Sequence, residues 1–227
     1  MKNLLLFLLS IHICADITLP ECTKQLLVVS SVDFNSSKAR LQAYERRDNS
    51  WEKRFAAMPV NLGRSGLAWG RGIHTFAHTE GEPSKMEGDG KSPAGLFRLD
   101  RFFGYEAKKF NFPYLQVSSS TLCIDESASL HYNHILDSYH TKQYKSFEYM
   151  KRKDNLYKLG IVVGHNKEGV KKAGSCIFMH IQKSQNSPTS GCTSLQEDQL
   201  LTLMQWLDKS KCPLLLQLPK PYLEDFK

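Results

Sequence analysis

Short apolar runs broken by turn residues fill most of this chain, and long helical stripes are scarce. That pattern confines it to a mainly β fold. "QLLVVSSV", "ARLQAYER" and "WEKRF" are β-compatible, and polar turns such as Asn35-Ser36-Ser37 and Asp48-Asn49-Ser50 separate them. "LFRLDRFFG", "YKLGIVVGHN" and "SCIFMHI" continue the series. In the last run, alternation puts Cys176, Phe178 and His180 on one face. Two helices are expected. One covers about Ser146 to Arg152. The other carries Leu200, Leu203, Met204 and Leu207 at i, i+3, i+4 and i+7, one apolar stripe. Ser194 and Glu197 have the spacing of a capping box, which places that helix's start just after Cys192. Pro213 then precedes a last strand, "LLLQLP". No repeat or linker interrupts the chain, so residues 16–227 are expected to form a single domain.

The 227 residues suffice for one sizeable core, and 41% hydrophobic content is that of an ordinary globular protein. A formal charge of +7 favours polyanions in general. The basic residues are scattered, with only short clusters at Lys151-Arg152-Lys153 and Lys171-Lys172, so nucleic-acid binding is not expected. The N-terminal "MKNLLLFLLSIHICAD" reads as a secretory signal peptide over residues 1–15, cleaved before Asp16. Its apolar run is too short for a conventional membrane span, and no later segment is long enough for one. A soluble, exported, periplasm-type protein is the expectation. If Cys14 leaves with the leader, five of the six cysteines remain: Cys22, Cys123, Cys176, Cys192 and Cys212. An odd number in an exported chain implies one free thiol beside up to two disulfides, with the connectivity open.

Three chemical readings compete. "EGDGKSPAGLF" suggests a phosphate loop, but Lys85 stands where the motif needs its first glycine and Pro93 where a helix should begin. A Gly-rich turn leading into a strand fits better, with Glu87 and Asp89 free to face a cleft. Cys176, His180, His165 and Cys192 are zinc-ligand types, yet no close CxxC or HExxH pair seeds a site, so no metal and no cofactor is expected. The third reading is thiol catalysis at Cys192, with His180 as base. Gly191 permits a sharp turn, the helix start beyond would lower the thiol pKa, and N–H groups of Gly191 and Cys192 could form an oxyanion hole. From residue chemistry alone, a disulfide role for Cys192 stays equally open.

His180 followed by "PTSGC" at Pro188–Cys192 resembles the His…[Ser/Thr]-x-Gly-Cys signature of the L,D-transpeptidase catalytic domain, the YkuD-like family. The resemblance extends to "MPVNLGRSGLAWG" (58–70), "KMEGDGKSPAGLF" (85–97), "CIDESASLHYN" (123–133), "GSCIFMHI" (174–181) and "GCTSLQEDQLLTLMQWL" (191–207), most of the chain from Met58 onward.

The resemblance implies a mainly β, YkuD-like fold, with mixed sheets packed as a sandwich and a helix after the cysteine. It implies Cys192 as the acylated nucleophile and His180 as its base. Gly191, Ser190 and Ile181 take oxyanion or positioning roles, and a carbonyl at Ile181 orients the imidazole. Many relatives carry histidine where this chain has Ser190 and arginine where it has Ser194, so the substrate carboxylate must be gripped differently. Lys85, Arg64, Lys91, His165 and Asn166 are the candidates for binding substrate. The implied reaction is peptidoglycan L,D-transpeptidation, in which a cell-wall stem peptide is held as a Cys thioester and passed to an amine. L,D-carboxypeptidase action with water, and a non-catalytic peptidoglycan-binding module, are the alternatives. Stem peptides are the implied partners, with carbapenem-type inhibitors as possible ligands. Cys123 and Cys176 fall within resembling blocks and are expected to pair, leaving Cys22 with Cys212 to tie the termini.

Overall fold

The computed structural model describes residues 19–48, 50–74, 80–138 and 141–223. The leader segment 1–15 and Asn49 of the Asp48–Ser50 turn lie outside them. Among the described residues the chain forms β1 (Gln25–Ser31), β2 (Lys38–Arg47), β3 (Ser50–Lys53), β4 (Met58–Asn61), β5 (Leu67–Trp69), β6 (Ser92–Gly104) and β7 (Tyr114–Gln116). It continues through β8 (Thr121–Cys123), β9 (Ile135–Asp137), β10 (Glu148–Tyr149), β11 (Leu159–Val163), β12 (Phe178–Ile181) and β13 (Thr193–Leu195). Helix α1 (Glu197–Trp206) and β14 (Leu214–Pro219) complete it, with short 3-10 turns between elements.

The main sheet runs β1-β14-β6-β11-β12-β13-β4-β2, and β2 pairs back with β1. That last pairing closes the sheet on itself, so the expected sandwich is in fact a barrel. Closure leaves no open edge among these strands and satisfies their backbone groups around the ring. β3, β5 and β7 attach at its sides, and a small second sheet, β10-β8-β9, stands apart.

Side-chain alternation explains the inward face. On β2, Ala39, Leu41 and Ala43 are buried, while Lys38 and Arg40 are exposed. They meet Leu27, Val29, Leu96, Leu99, Ile161, Met179, Leu195 and Leu216 in one core cluster. The predicted stripe of α1 joins that cluster through Leu200, Leu203 and Met204, with Leu207 just beyond the helix.

Two helix expectations fail for a shared reason: β pairing captures the residues first. The segment 146–152 is not helical, and Glu148–Tyr149 instead pairs with Leu122–Cys123 as β10. Ser194 is not a helix cap. It sits inside β13, paired with His180 on one side and Asn61 on the other. α1 therefore begins at Glu197, with Gln196 at its N-cap making no side-chain capping bond.

β1 and β14 are parallel, in register from Leu26 with Leu214. Parallel neighbours start at the same end of the sheet, which puts Cys22 and Cys212, just before each strand, within reach. They form a disulfide, with Cα atoms 5.7 Å apart across 190 residues of sequence. Cys123 and Cys176 form the other, which ties the small sheet to the segment leading into β12. Both match the pairing that the resemblance implied. In the chain-entropy account a loop of that length is worth on the order of 5 kcal/mol. Replacing Cys22 and Cys212 together by alanine is expected to lower the melting temperature by roughly 10 °C, read by calorimetry under non-reducing conditions. An unchanged melting temperature would show that the parallel pair holds the termini without the bond.

Candidate functional site

β12 and β13 lie side by side and parallel, Met179 opposite Thr193 and His180 opposite Ser194. Carried back one residue, that register sets Cys192 level with Phe178. The backbone N–H of Phe178 donates to Cys192 Sγ at 3.3 Å, and the thiol lies 3.5 Å from the carbonyl oxygen of Cys176. His180, two residues further along β12, is on the same face, about 7 Å along the strand. Cys176, Phe178 and Cys192 share a second apolar cluster with Phe103, Val117, Cys123, Met150 and Tyr157. Met179, pointing the other way, belongs to the barrel core.

Cys192 is the free cysteine of the described residues, and it is buried. This removes the disulfide reading of Cys192. It also dissolves the four-ligand zinc set, because Cys176 is bonded to Cys123.

A cavity of about 420 Å³ opens over the thiol. Cys192, His180, Gly191, Ser190, Lys85 and Arg64 all line it. Ile181 does not, but its carbonyl oxygen lies 2.8 Å from His180 Nδ1. A carbonyl can only accept, so Nδ1 carries the proton and Nε2 is left with its lone pair. Three candidates fall elsewhere. Lys91 Nζ donates to the Ser65 carbonyl at 2.7 Å. His165 is buried between the Arg71 N–H and the Ala173 carbonyl. Asn166 braces its own loop, bonding Val170 through both side-chain atoms and the Gly174 carbonyl. These three serve the frame and do not face the cavity.

Gly191 has φ +152°, a region that side chains avoid, and a Cβ there would meet the Lys91 carbonyl oxygen at 3.1 Å. Its N–H is not free for an oxyanion, since it donates to Thr189 Oγ1 at 3.1 Å. Thr189 and Ser92 hydroxyls in turn donate to the Cys192 carbonyl at 2.6 and 2.9 Å. The Cys192 backbone is thus fixed from both sides.

Residues that sequence reasoning did not single out supply much of the lining. Glu148, Tyr157, Arg152, Asp125, Ser175 and Lys183 all border the cavity. Tyr157 donates to Glu148 Oε2 at 2.6 Å and packs its ring 5.2 Å from that of His180. Arg152 lies over the same ring, 5.0 Å from its centre, while its guanidinium pairs with Asp154. Tyr157 opens a legible strand run, but nothing in the run marks its hydroxyl. Glu148 was hidden inside the helix expected over 146–152. Lys85 is bound to Asp89 at 2.6 Å. Arg64 and Lys183 have no carboxylate partner among the described residues. Ser194 Oγ is buried beside the cavity with no hydrogen-bond partner among them.

Burial sets the charges here. It pushes the Cys192 thiol up to about 12, with the Glu148 carboxylate adding to the rise and the Phe178 N–H opposing it. It holds His180 down to about 4, against the pull of the Ile181 carbonyl. Burial also raises Glu148 above the usual carboxylate range. The expected thiol activation by a helix start does not operate, because β13 intervenes between Cys192 and α1.

The two buried imidazoles predict acid sensitivity. His165 and His180 both titrate near 4 in the folded state against an ordinary 6.5. Between those values the unfolded chain binds more protons. The stabilisation is therefore complete above pH 6.5 and is lost as pH falls toward 4, at up to about 1.4 kcal/mol per pH unit for each ring. Urea unfolding at pH 7 and pH 4.5 is expected to register this. His180→Gln should lose about 2 kcal/mol less than the wild type between the two conditions. Equal losses would mean that His180 is solvated in the native state.

No family model matches the chain, and no curated protein matches it. Two solved structures are similar. The helical cell shape determining protein Pgp2 from Campylobacter jejuni matches at 14% identity with a TM-score of 0.43, over 86% of this chain and 47% of that one. A single-substitution variant of the same protein matches at 14% identity and a TM-score of 0.40, over the same shares. The chain spans about half the length of that protein.

Proposed function

We propose that this chain is a cysteine acyltransferase of the L,D-transpeptidase type, acting on stem peptides of the cell wall. One observation carries the reading. Cys192 is a free thiol while the other four cysteines of the described residues are paired, and it shares a cavity with an imidazole whose Nε2 is open. The His…Ser-Gly-Cys resemblance supplies the substrate class. The two disulfides favour an oxidising, exported setting.

In this reaction Cys192 attacks the carbonyl between the L-configured centre of a diamino acid and a terminal D-alanine. The C–N bond breaks, the amine leaves with a proton, and a thioester remains. An amine of a second stem peptide then takes the acyl group. The Phe178 N–H already points at the sulfur, and the fixed loop at Thr189–Gly191 holds the nucleophile in place. Arg64 and Lys183 are the unpaired cations at the mouth, suited to the substrate carboxylate in place of the arginine that many relatives carry at the Ser194 position.

Incubation with a carbapenem, followed by intact mass measurement, is expected to give one covalent adduct on the wild-type protein and none on Cys192→Ala. Incubation with muropeptides should yield cross-linked dimers. Trimmed tripeptides without dimers would instead assign water as acceptor. An unmodified Cys192 after both incubations, in protein whose thiol still reacts with an alkylating agent, would reject the acyltransferase reading.

A further inference from the structure

Arg64 and Lys183 border the cavity, and neither has a carboxylate partner among the described residues. What places them is the chain that carries them. Lys183 belongs to the irregular connection between β12 and Cys192, and a loop keeps one shape only if its polar groups are engaged. The residues on either side of Lys183 are both bonded to one buried amide. Asn61 Nδ2 donates to Gln182 Oε1 at 3.2 Å and to the Ser184 carbonyl at 3.1 Å. Asn61 ends β4, is 1% exposed, and is paired across the sheet with Ser194 and with Lys38. Its Oδ1 accepts from Lys38 Nζ at 2.7 Å. The same ammonium donates to the Gln185 carbonyl and, at 3.2 Å, to Asn186 Oδ1. All three of its protons therefore meet neutral oxygens, two of them on the connection.

Arg64 is mounted on the same unit, on the segment that continues from Asn61. Its backbone N–H donates to the Thr189 carbonyl at 2.8 Å, and the Thr189 N–H donates to the Leu62 carbonyl at 2.8 Å. A Cβ at Gly90 would meet Arg64 Cζ at 2.8 Å, so the guanidinium lies against a residue whose lack of a side chain leaves room for it. Segment 61–64 and connection 182–189 are thus cross-bonded at both ends, with one cation on each.

We propose that Lys38 and Asn61 are positioning residues that hold Lys183 and Arg64 as one two-cation clamp, and that this clamp makes the cavity selective for ligands carrying a carboxylate. The connection is ordered on folding, so its ordering entropy does not weaken binding. An ammonium suits the outer anchor, because a compact point donor can serve three oxygens at once where a planar guanidinium cannot converge on them. Gln185 and Asn186 are exposed, so water can take the place of Lys38 there. Removing Lys38 should loosen the connection and leave the barrel folded. The identity of the carboxylate, the terminal one of a stem peptide, rests on the acyltransferase reading. The preference for a carboxylate does not.

Two thiol reagents of nearly equal size test the clamp on the full chain at pH 8. Iodoacetate carries a carboxylate and iodoacetamide does not. The ratio of their rates at Cys192, read by peptide mass, reports the carboxylate preference, because the reactivity of the thiol itself cancels. Lys183→Gln and Arg64→Gln should each lower the ratio about 5-fold, the scale of one charge-assisted contact at a partly exposed site. Lys38→Met should lower it by a similar factor with the iodoacetamide rate unchanged. In a Lys183→Gln background, Lys38→Met should lower it no further, because it acts through Lys183. Carbapenem acylation should show the same split: a half-saturating concentration raised about 5-fold in Lys38→Met, at an unchanged limiting rate. An unaltered ratio in Lys38→Met or in Lys183→Gln would overturn the clamp, and so would both reagents slowing together, which marks a structural role. A full further fall in the double variant would also overturn it, since Lys38 would then act by its own charge. Ratios as expected without any carbapenem adduct would keep the clamp and remove the acyltransferase reading.

Discussion

The parallel pairing of β12 with β13 is the constraint on which the site depends. Two short strands, separated in sequence by the Gln182–Cys192 connection, are forced into register by the barrel around them. β12 is held on its other side by β11 and β13 by β4, so neither can slide. A slip of one residue would turn Phe178 and His180 into the barrel core and Met179 out toward the cavity. The core forbids this, because Met179 and Leu195 fill it while Cys176, Phe178 and Cys192 belong to the outer cluster. Packing on one side of the sheet therefore fixes chemistry on the other.

That arrangement has an electrostatic consequence. A thiol, an imidazole, a phenol and a carboxylate are buried within one wall, and burial disfavours whichever form of each is charged. The acids become weaker and the base becomes weaker with them. In the unliganded site the neutral thiol and neutral imidazole are the stable pair, and a resting thiolate–imidazolium pair is disfavoured. Arg64 and Lys183 are the cations lining the cavity that have no carboxylate partner among the described residues.

Much of the frame was legible in the sequence, and the reasons are local. Turn residues delimited β1, β2 and β14, and the stripe from Leu200 to Leu207 located α1, although its start falls at Glu197 and not just after Cys192. The shared face of Cys176, Phe178 and His180 followed from alternation alone. Barrel closure was not legible, since it rests on β1 meeting both β2 and β14, and the second of those pairings spans nearly the whole chain. The same limit hid Glu148 and Tyr157. They reach the cavity from the small sheet and from the segment before β11, and no spacing within either run encodes that approach. The Ser194–Glu197 box failed for a sharper reason. Its spacing is genuine, but a serine that is a barrel strand residue, hydrogen-bonded through its backbone on both sides, cannot also cap a helix.

That failure alters how the Gly-Cys signature works here. A cysteine at a helix N-terminus would be activated by fixed backbone dipoles at all times. With β13 between Cys192 and α1, that permanent field is lost, and the nearest backbone donor is the Phe178 N–H of the neighbouring strand. Such an arrangement suits a free thiol in a chain that carries two disulfides. A thiolate stabilised at rest would be open to oxidation or to exchange with the Cys123–Cys176 disulfide, whose Cys176 carbonyl it already approaches. A buried neutral thiol avoids both reactions, and the disulfide beside it can remain a fixed part of the wall.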